Sequence, residues 1–257
     1  IRINMKNKII EWNRQFRDAS IDQFLSYFLN KYDDRYVVAS SLSYEDQINT
    51  HVSLKIRPNA RIFILDTGRL HKETYDVIDQ TSLLYDFKYE ILKPNERDVS
   101  NMVNKFGLNL FYDSIDNRKK CCSVRKVEPL SRVLSTADVW VTGLRSQQSV
   151  TRTSLELVQW DDTFNLLKLN PLANWTEDEV KEFVRINKIP FNKLHEKGYP
   201  SIGCEPCTRA IKDDEDIRSG RWWWEDPEHK ECGLHVVNGK LQSKKITNNN
   251  AKGNLND

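Results

Sequence analysis

The sequence has no long hydrophobic run and almost no net charge. Its apolar stretches fall short of the roughly 18–20 residues that a membrane-spanning helix requires, and no segment typical of a secretory signal opens the chain. The formal net charge of the 257 residues is +2, which is too small to indicate binding to nucleic acid or to an anionic membrane. With 39% hydrophobic and 30% charged residues, the composition is typical of a globular protein with one good-sized core.

The five cysteines cannot all pair in internal disulfides, because their number is odd. A chain without an export signal is expected in a reducing compartment, where grouped cysteines serve metal binding or catalysis rather than cross-linking. We therefore expect a cytoplasmic protein whose cysteines carry chemistry.

Familiar nucleotide-binding motifs are also missing. The chain has neither a P-loop nor the glycine fingerprint of dinucleotide-binding proteins. The segment Ser40-Ser41-Leu42-Ser43, which follows a predicted strand, lacks the Gly-Gly and Asp-Ser pairs of ATP pyrophosphatases. These absences disfavour ATP cleavage, and an ATP-pyrophosphatase-type transferase is kept only as a third hypothesis that pyrophosphate release would reveal.

Short β-rich segments alternate with helical patterns along the chain, which is typical of a mostly parallel sheet with helices on both faces. The predicted fold class is therefore α/β. After Pro190 the chain becomes loop-rich, and we expect one α/β domain over 1–243 that includes this C-terminal extension, followed by a flexible Asn/Lys-rich tail over 244–257. The strands are predicted at 35–40, 61–65, 88–92 and 138–142, and the helices at 4–32 with a cap at Ser20, 44–56, 69–84, 96–106, 117–127 and 175–187.

Three loops at the carboxyl ends of predicted strands share hydroxyls, glycines and free amides: Ser40 to Ser43, Asp66 to Arg69, and Thr142 to Arg145. In open parallel sheets ligands bind beyond this edge, and amides ahead of helix N-termini attract phosphate-like oxygens. Each loop taken alone is more simply a set of helix caps and turns. Three such loops at one edge favour an anionic, nucleotide-like ligand.

Four cysteines form two pairs, Cys121-Cys122 on a predicted helix and Cys204-Glu205-Pro206-Cys207 in a turn. Adjacent helical side chains point about 100° apart, which suits separate corners of a multi-iron cluster, and four cysteines fit a [4Fe–4S] cluster. Zinc is the alternative, because Cys204, Cys207, Cys232 and His235 offer a Cys₃His set. Cys121 and Cys122 would then be small buried hydrophobes. The spacing leaves both interpretations open.

The fifth cysteine, Cys232, lies in the segment Lys230-Glu231-Cys232-Gly233-Leu234-His235, just ahead of the polar tail. Lys230 and His235 favour its thiolate, and a thiolate near a chain end can attack an electrophile and then meet a reducing partner. Arginine and lysine recognise phosphate and sulfate, although each such residue is more often a solvated surface charge. The candidate cations beside the loops and cysteine motifs are Lys126, Arg145, Arg152, Arg218 and Arg221.

Taken in order from Ser40 to His235, these segments resemble the adenylyl-sulfate/phosphoadenylyl-sulfate reductase family, and within it the assimilatory adenylyl-sulfate reductases. The most specific parts of the resemblance are the split cysteine pairs and the segment that closes on His235. The matching segments are Leu65-Asp66-Thr67-Gly68, Cys121-Cys122 with Arg125-Lys126-Val127, Thr142-Gly143-Leu144-Arg145 with Gln148-Ser149, Asn170-Pro171-Leu172, the Cys204/Cys207 turn, Gly220-Arg221-Trp222 and Glu231-Cys232-Gly233-Leu234-His235.

The resemblance implies an adenine-nucleotide α-hydrolase-like fold and a reaction in two halves. Cys232 would attack the sulfur of adenosine 5′-phosphosulfate (APS) and expel AMP, and thioredoxin or a glutaredoxin-like dithiol would release sulfite from the resulting S-sulfocysteine. Lys126 and His235 are the other implied catalytic residues. A [4Fe–4S] cluster that is not thought to shuttle electrons is implied on Cys121, Cys122, Cys204 and Cys207.

The resemblance also implies the substrate contacts. Lys126, Arg218 and Arg221 would face the phosphosulfate, and the nucleotide contacts would be Ser40, Ser41, Ser43, Leu65, Asp66, Thr67, Gly68, Gly143, Arg145 and Arg152. The four-cysteine signature favours APS over its 3′-phosphorylated relative (PAPS), and a PAPS or dual APS/PAPS reductase is the alternative. Neither nucleic acid nor membrane is an expected partner, and a homo-oligomer is possible. A zinc-stabilised adenine-nucleotide-binding module without catalysis is a hypothesis from a different class.

Overall fold

The core of the protein is one six-stranded sheet, seen in a computed structural model that describes residues 2–148 and 155–226. The strands are β1 Tyr36–Ser40, β2 Arg61–Leu65, β3 Glu90–Leu92, β4 Val139–Val141, β5 Val158–Asp161 and β6 Leu166–Leu169. The helices are α1 Arg2–Gln15, α2 Ile21–Tyr32, α3 Tyr44–Ile56, α4 Lys72–Tyr85, α5 Glu96–Phe106, α6 Ile115–Cys122, α7 Glu128–Leu134 and α8 Glu177–Ile186. A π-helical turn, Ser123–Val127, joins α6 to α7.

The strand order is β3-β2-β1-β4-β6-β5, and every pairing is parallel except that of β5 with β6. The chain builds outward from β1 in one direction and then returns to place β4 on the other side of it. This reversal creates a crevice beyond the carboxyl ends of β1 and β4, where ligands bind in open α/β sheets. The prediction of a mostly parallel sheet is confirmed.

Alternate residues of the strands face opposite layers, as the period of two in a strand requires. Val38, Ile62 and Val141 pack into a large core with side chains from α1 to α4 and from α8. Val37 and Trp140 point the other way, into a smaller core with α7. The sheet is therefore covered by helices on both faces, as predicted.

The predicted break at Ser20 is also present. The Ser20 side chain accepts a hydrogen bond from the Gln23 amide, and the Gln23 side chain accepts one from the Ser20 amide, which forms a capping box at the start of α2. A second capping box, between Thr176 and Glu179, begins α8. These reciprocal bonds satisfy amides that would otherwise lack partners at the helix N-termini.

The antiparallel β5–β6 hairpin was not predicted. Its turn is polar, with the Asp161 carboxylate accepting from the amides of Thr163 and Phe164. In β6, Lys168 interrupts the apolar pattern, yet its side chain is buried with its ammonium 5.0 Å from the ring centroid of Trp140. A buried cation over an indole is stabilised by the ring quadrupole, and this tertiary contact is invisible in the local sequence.

The segment after α8 consists of loops and short 3₁₀ turns as far as the described residues extend. The Trp222 amide donates to the Cys207 carbonyl, and Thr208 and Arg221 form a β-bridge. The tail predicted over 244–257 lies outside the described residues. Within the described ranges, no helix has both the length and the apolar composition needed to cross a bilayer.

Asn170, at the end of β6, ties three strands together, and its replacement should destabilise the sheet. Its Nδ2 donates to the Glu156 carbonyl at 2.8 Å and to Gln159 Oε1 at 3.0 Å, and its Oδ1 accepts from Thr142 Oγ1 at 2.7 Å. Asn170→Ala removes all three hydrogen bonds and takes a partner from the buried Thr142 hydroxyl, so we expect the free energy of unfolding in urea to fall by about 2–3 kcal/mol.

The control for Asn170→Ala is Asn104→Ala on the exposed face of α5. This substitution should change the free energy of unfolding by less than about 0.5 kcal/mol. Equal effects of the two substitutions would contradict the role assigned to Asn170.

Candidate active site

A cleft of about 550 Å³ opens at the carboxyl ends of β1, β2 and β4. Because these strands are parallel neighbours, the loops that follow them meet at one edge of the sheet. Most of the residues singled out in the sequence line this cleft, and the structure therefore brings them together: Ser40, Ser41, Ser43, Leu65, Thr67, Lys126, Gly143, Arg145, Cys204, Arg218 and Arg221.

The serine loop is held by its own hydrogen bonds and by the first turn of α3. Ser40 Oγ accepts from the Leu42 amide at 3.1 Å, and Leu42 has a left-handed φ of 65°. The amide and hydroxyl of Ser41 both donate to Asp46 Oδ2, at 2.6 and 2.5 Å. Ser43 is the N-cap of α3 but makes no side-chain capping bond. The N-terminus of a 13-residue helix thus opens on the cleft, where its dipole favours an anion.

Asp46 lies in the wall of the cleft and was not predicted from the sequence as a site residue. Burial raises its pKa to about 6, against the opposing effect of hydrogen bonds from Ser41 and the Gly143 amide. A Cβ at position 143 would lie 2.3 Å from Asp46 Oδ1, so glycine is required for this approach. An acidic residue in the first turn of a helix is ordinarily explained by its interaction with the helix dipole, so nothing in the sequence marked Asp46 as a cleft residue.

Arg145 lines the cleft, but its guanidinium is committed to a buried ion pair. Its Nε donates to Glu45 Oε1 at 2.7 Å, and the two side chains are 4% and 11% exposed. Gln148 Nε2 donates to the same oxygen at 3.0 Å. Arg145 therefore fixes the loop after β4 against α3 and carries a charge that is largely neutralised.

The Asp66-Thr67-Gly68 loop connects β2 to the cysteines. Asp66 Oδ1 accepts from the Gly68 amide at 2.9 Å and from the Tyr75 hydroxyl at 2.8 Å, which places Asp66 and Gly68 behind the cleft wall. Thr67 Oγ1 lies 3.2 Å from Cys204 Sγ. In the segment from Leu65 to Gly68, Leu65 and Thr67 line the cleft itself.

The predicted helix that carries Cys121 and Cys122 changes character before its end. The α-helix stops at Cys122, and the next five residues form a π-helical turn. Such turns insert an extra residue and are frequent at functional sites. Here Arg125 is directed inward and donates through Nη1 to the Thr67 carbonyl at 2.7 Å, whereas Lys126 lines the cleft.

All four cysteines of the two sequence pairs border a second, much smaller cavity of about 20 Å³. Cys122, Cys204 and Cys207 are buried there with Trp222. Burial raises the pKa of the Cys207 thiol to about 12 and also raises that of Cys121. Burial acts the same way on Cys204, but Lys126, the Thr67 hydrogen bond and two arginines outweigh it, so its pKa lies below the ordinary value.

The donor set around this cavity is four cysteine thiols. Within residues 2–148 and 155–226, no group of three His, Cys, Asp or Glu side chains is placed so that it could hold a metal ion. Four cysteine thiols are nevertheless the ligand set that a [4Fe–4S] cluster takes. Trp222 Nε1, which is buried beside them, has no partner in the described part of the chain and is an available hydrogen-bond donor.

Arg221 enters the cleft across a glycine. A Cβ at Gly203 would lie 2.4 Å from Arg221 Nη2, so the guanidinium occupies the space that a side chain would fill. Its Nη1 donates to Ser201 Oγ at 3.4 Å and to the Ile202 carbonyl at 3.5 Å. The guanidinium also stacks on Trp222, 4.7 Å from the ring centroid.

His195 is a second cleft residue that the sequence reasoning missed, because it stands in an ordinary polar run. Its Nδ1 lies 2.8 Å from the Tyr199 carbonyl, which can only accept, so Nδ1 carries the proton. Burial lowers the pKa of His195, and its ring stacks on Tyr44 at 4.3 Å. A neutral imidazole with its second nitrogen as an acceptor therefore lies at the cleft wall.

Three of the residues proposed from the sequence, Arg152, Cys232 and His235, lie outside the described residues. The zinc set that combines Cys204 and Cys207 with Cys232 and His235 falls partly outside them for the same reason.

Comparison with known proteins identifies the family. Residues 35–210 match the phosphoadenosine phosphosulfate reductase domain. The adenosine 5′-phosphosulfate reductase of Allochromatium vinosum is 48% identical over 85% of this chain and 85% of its own length. The proteins of the same name from Burkholderia cepacia and Rhizobium tropici are 49% and 51% identical over 79% and 67% of this chain, and over 82% and 96% of their own.

Solved structures show the same fold at low sequence identity. The phosphoadenylyl-sulfate reductase of Candida auris superposes with a TM-score of 0.67 at 22% identity, over 79% of this chain and 96% of that one. The FMN adenylyltransferase of Candida glabrata gives a TM-score of 0.52 at 15% identity, over 80% and 69%. These neighbours confirm the adenine-nucleotide-binding fold, and the match over residues 35–210 together with the bacterial relatives shows that this chain belongs to the phosphoadenosine phosphosulfate reductase family.

Proposed function

We propose that this protein reduces adenosine 5′-phosphosulfate to sulfite and AMP in sulfate assimilation. One observation carries the proposal: Lys126, Cys204 and Trp222 line both the nucleotide-sized cleft and the cysteine cavity. The bacterial relatives that match most of the chain are named as reductases of this compound. The four cysteines favour APS over PAPS as substrate, and grouped cysteines suit a reducing compartment such as the cytoplasm.

The side of the cleft formed by the serine loop and Gly143 suits the nucleotide. The serine loop offers hydroxyls beside the α3 N-terminus, and Gly143 allows the backbone to approach closely. His195 offers an unprotonated ring nitrogen, which accepts a hydrogen bond from an amino group or a hydroxyl. Anions bind at such helix N-termini through amide groups and the helix dipole. We assign the adenosine and its α-phosphate to this side.

The cationic side suits the phosphosulfate. Lys126, Arg218 and Arg221 line the cleft beside Cys204. Guanidinium groups bind such oxygens through paired hydrogen bonds, and an ammonium supplies a compact charge. Positive groups in a water-poor cleft stabilise the negative charge that develops on a leaving phosphate oxygen. We assign Lys126 and Arg221 to this stabilisation.

The proposed chemistry is displacement at sulfur. The Cys232 thiolate forms a bond to the sulfur of APS while the bond from that sulfur to the bridging phosphate oxygen breaks, and AMP leaves with the electron pair. A dithiol reductant of the thioredoxin or glutaredoxin type then attacks Sγ of the S-sulfocysteine and expels sulfite. Its second thiol resolves the mixed disulfide, so the reductant is oxidised to a disulfide and Cys232 is restored.

Cys232 is within reach of the cleft by chain length. It follows Trp222, a cleft residue, by ten residues, and an extended chain covers about 3.3–3.6 Å per residue. The segment is therefore long enough to bring the thiol to the cationic side or to carry it out toward a reductant. His235 would follow on the same segment, and Arg152 would join the substrate contacts.

We further propose that Cys121, Cys122, Cys204 and Cys207 hold a [4Fe–4S] cluster. Their shared cavity and the cations around Cys204 support it, since positive charge nearby stabilises thiolates. Trp222 Nε1, which has no partner among the described residues, is a further hydrogen-bond donor beside them. When bound, the cluster supplies a fixed charge array beside the cleft. Lys126, which borders both cavities, orients the sulfate end of the substrate.

Replacing the nucleophile should separate binding from chemistry. Cys232→Ser should bind APS with unchanged affinity, because the cleft contacts are intact, but should form no sulfite with a thioredoxin-type donor. Calorimetric titration with APS and a sulfite assay measure the two properties. Turnover by Cys232→Ser at the wild-type rate would refute displacement by this thiol.

Lys126→Ala should lower kcat/KM for APS by about 10²–10³-fold, the range seen when a charge-stabilising donor is removed from a water-poor active site. The matched control is Lys119→Ala, since Lys119 is exposed on the neighbouring helix α6 and lines neither cavity. Thermal unfolding of both variants checks that the loss is not one of folding. A loss below about threefold for Lys126→Ala would contradict its role.

Anaerobically purified protein should contain iron and acid-labile sulfide in equal amounts and absorb broadly near ~400 nm. Alanine at any one of the four cluster cysteines should lower both contents, whereas Cys232→Ser should leave them unchanged. Stoichiometric zinc without iron would overturn the cluster assignment and favour the zinc-stabilised binding module.

A further inference from the structure

Two guanidinium groups lie over the Trp222 ring. The Cζ of Arg221 is 4.7 Å from the ring centroid, and that of Arg118 of α6 is 4.5 Å from it. Arg118 also forms a two-bond ion pair with Glu225: Nε donates to Oε1 at 2.9 Å and Nη2 to Oε2 at 2.7 Å. The Arg118 and Glu225 side chains are 1% and 4% exposed. This group of four residues sits where the C-terminal extension meets the cysteine-bearing helix.

The Arg118–Glu225 pair does not line the nucleotide cleft. Its connection with the cleft runs through Trp222, which borders both cavities. Trp222 has a left-handed φ of 41°, a conformation that bulky residues rarely adopt, so the surrounding contacts must hold it there. The Glu225 amide donates to the Trp222 carbonyl at 2.9 Å. Arg118 therefore contacts the strained Trp222 through its ring, and Glu225 contacts it through a backbone hydrogen bond.

Burying an ion pair is unfavourable in free energy, because both charges lose their hydration. Apolar side chains of similar size would hold the segment without this desolvation penalty. The ion pair fixes an orientation as well, because a planar guanidinium donates its two parallel hydrogen bonds to a carboxylate in one plane only. The hydrogen bonds from Arg221 to Ser201 and Ile202 are long, at 3.4 and 3.5 Å. The Trp222 ring, 4.7 Å from Cζ, is one of the contacts that set the plane in which Arg221 lies.

We propose that the Arg118–Glu225 ion pair is a positioning device for the reaction: it holds Trp222 and, through its ring, sets Arg221 toward the sulfate end of the substrate. This inference rests on the proposed function, because it assigns Arg221 to the phosphosulfate. Arg118 and Glu225 are positioning residues and do not touch the substrate.

The test compares two nucleotides that differ at the sulfate. Affinities for APS and for AMP are measured by calorimetry in the Cys232→Ser background, where APS is not consumed. We expect Glu225→Gln to raise the Kd for APS by about tenfold, the scale of one charge-assisted hydrogen bond, and to change the Kd for AMP by no more than about twofold. Both ligands sample the same folded molecules, so the ratio of the two constants does not respond to general destabilisation.

A double-mutant cycle tests the route through Arg221. Arg221→Ala alone should weaken APS binding, and adding Glu225→Gln to it should weaken binding by no more than about a further twofold. The matched control is Glu90→Gln, which opens the Arg61–Glu90 pair of 2.7 and 3.0 Å at the opposite edge of the sheet. It should leave the APS-to-AMP ratio unchanged.

Two further variants test whether misfolding, rather than lost positioning, explains the result for Glu225→Gln. Arg118→Lys keeps the charge but loses the paired hydrogen bonds, and Glu225→Asp keeps the carboxylate but shortens its reach, so both should shift the ratio in the same direction. Equal losses of APS and AMP affinity, an unchanged ratio, or additive effects with Arg221→Ala would overturn the positioning role. Failure of the parent protein to bind APS would instead refute the proposed function and this inference with it.

Discussion

Burial strips water from a thiolate, and the pKa of a buried thiol therefore rises unless positive charge compensates. Cys121 and Cys207 follow this rule. Cys204 departs from it, because Lys126, the hydrogen bond with Thr67, Arg221 and Arg125 together outweigh the effect of its burial. The site depends on this concentration of positive charge between the two cavities. It stabilises the Cys204 thiolate on one side and presents positive charge to the cleft on the other.

Segments that are distant in sequence have to meet for this charge to accumulate. The π-helical turn directs Arg125 toward the Asp66-Thr67-Gly68 loop and leaves Lys126 on the cleft. The Cys204 turn joins the same loop through Thr67 and through the Glu205 amide, which donates to the Arg69 carbonyl at 2.8 Å. The C-terminal extension adds Arg221 across Gly203. Each contact is tertiary, so the fold rather than any one motif creates the electrostatics of the site.

The parts predictable from sequence are those governed by local rules. Short β-rich runs predicted β1 to β4, and the hydroxyl at Ser20 predicted the start of α2, because strand propensity and capping act over a few residues. Convergence of the three loops followed from the parallel sheet. The ion pair of Arg145 with Glu45 was not predictable, since it joins residues far apart in the chain. The β5–β6 hairpin and the π-helical turn are local but were not predicted, because Lys168 interrupts the apolar pattern of β6 and a π-helical turn continues the helical pattern of α6.

In the proposed reaction the thiol of Cys232 receives the sulfo group from APS. The most direct test is the intact mass of the wild-type protein after mixing with APS in the absence of any dithiol, followed by peptide mapping. We expect a mass increase of one sulfo group, located on Cys232, with release of one AMP per protein and loss of the adduct when reduced thioredoxin is added. Release of AMP without an adduct, or an adduct on any of the other four cysteines, would contradict it.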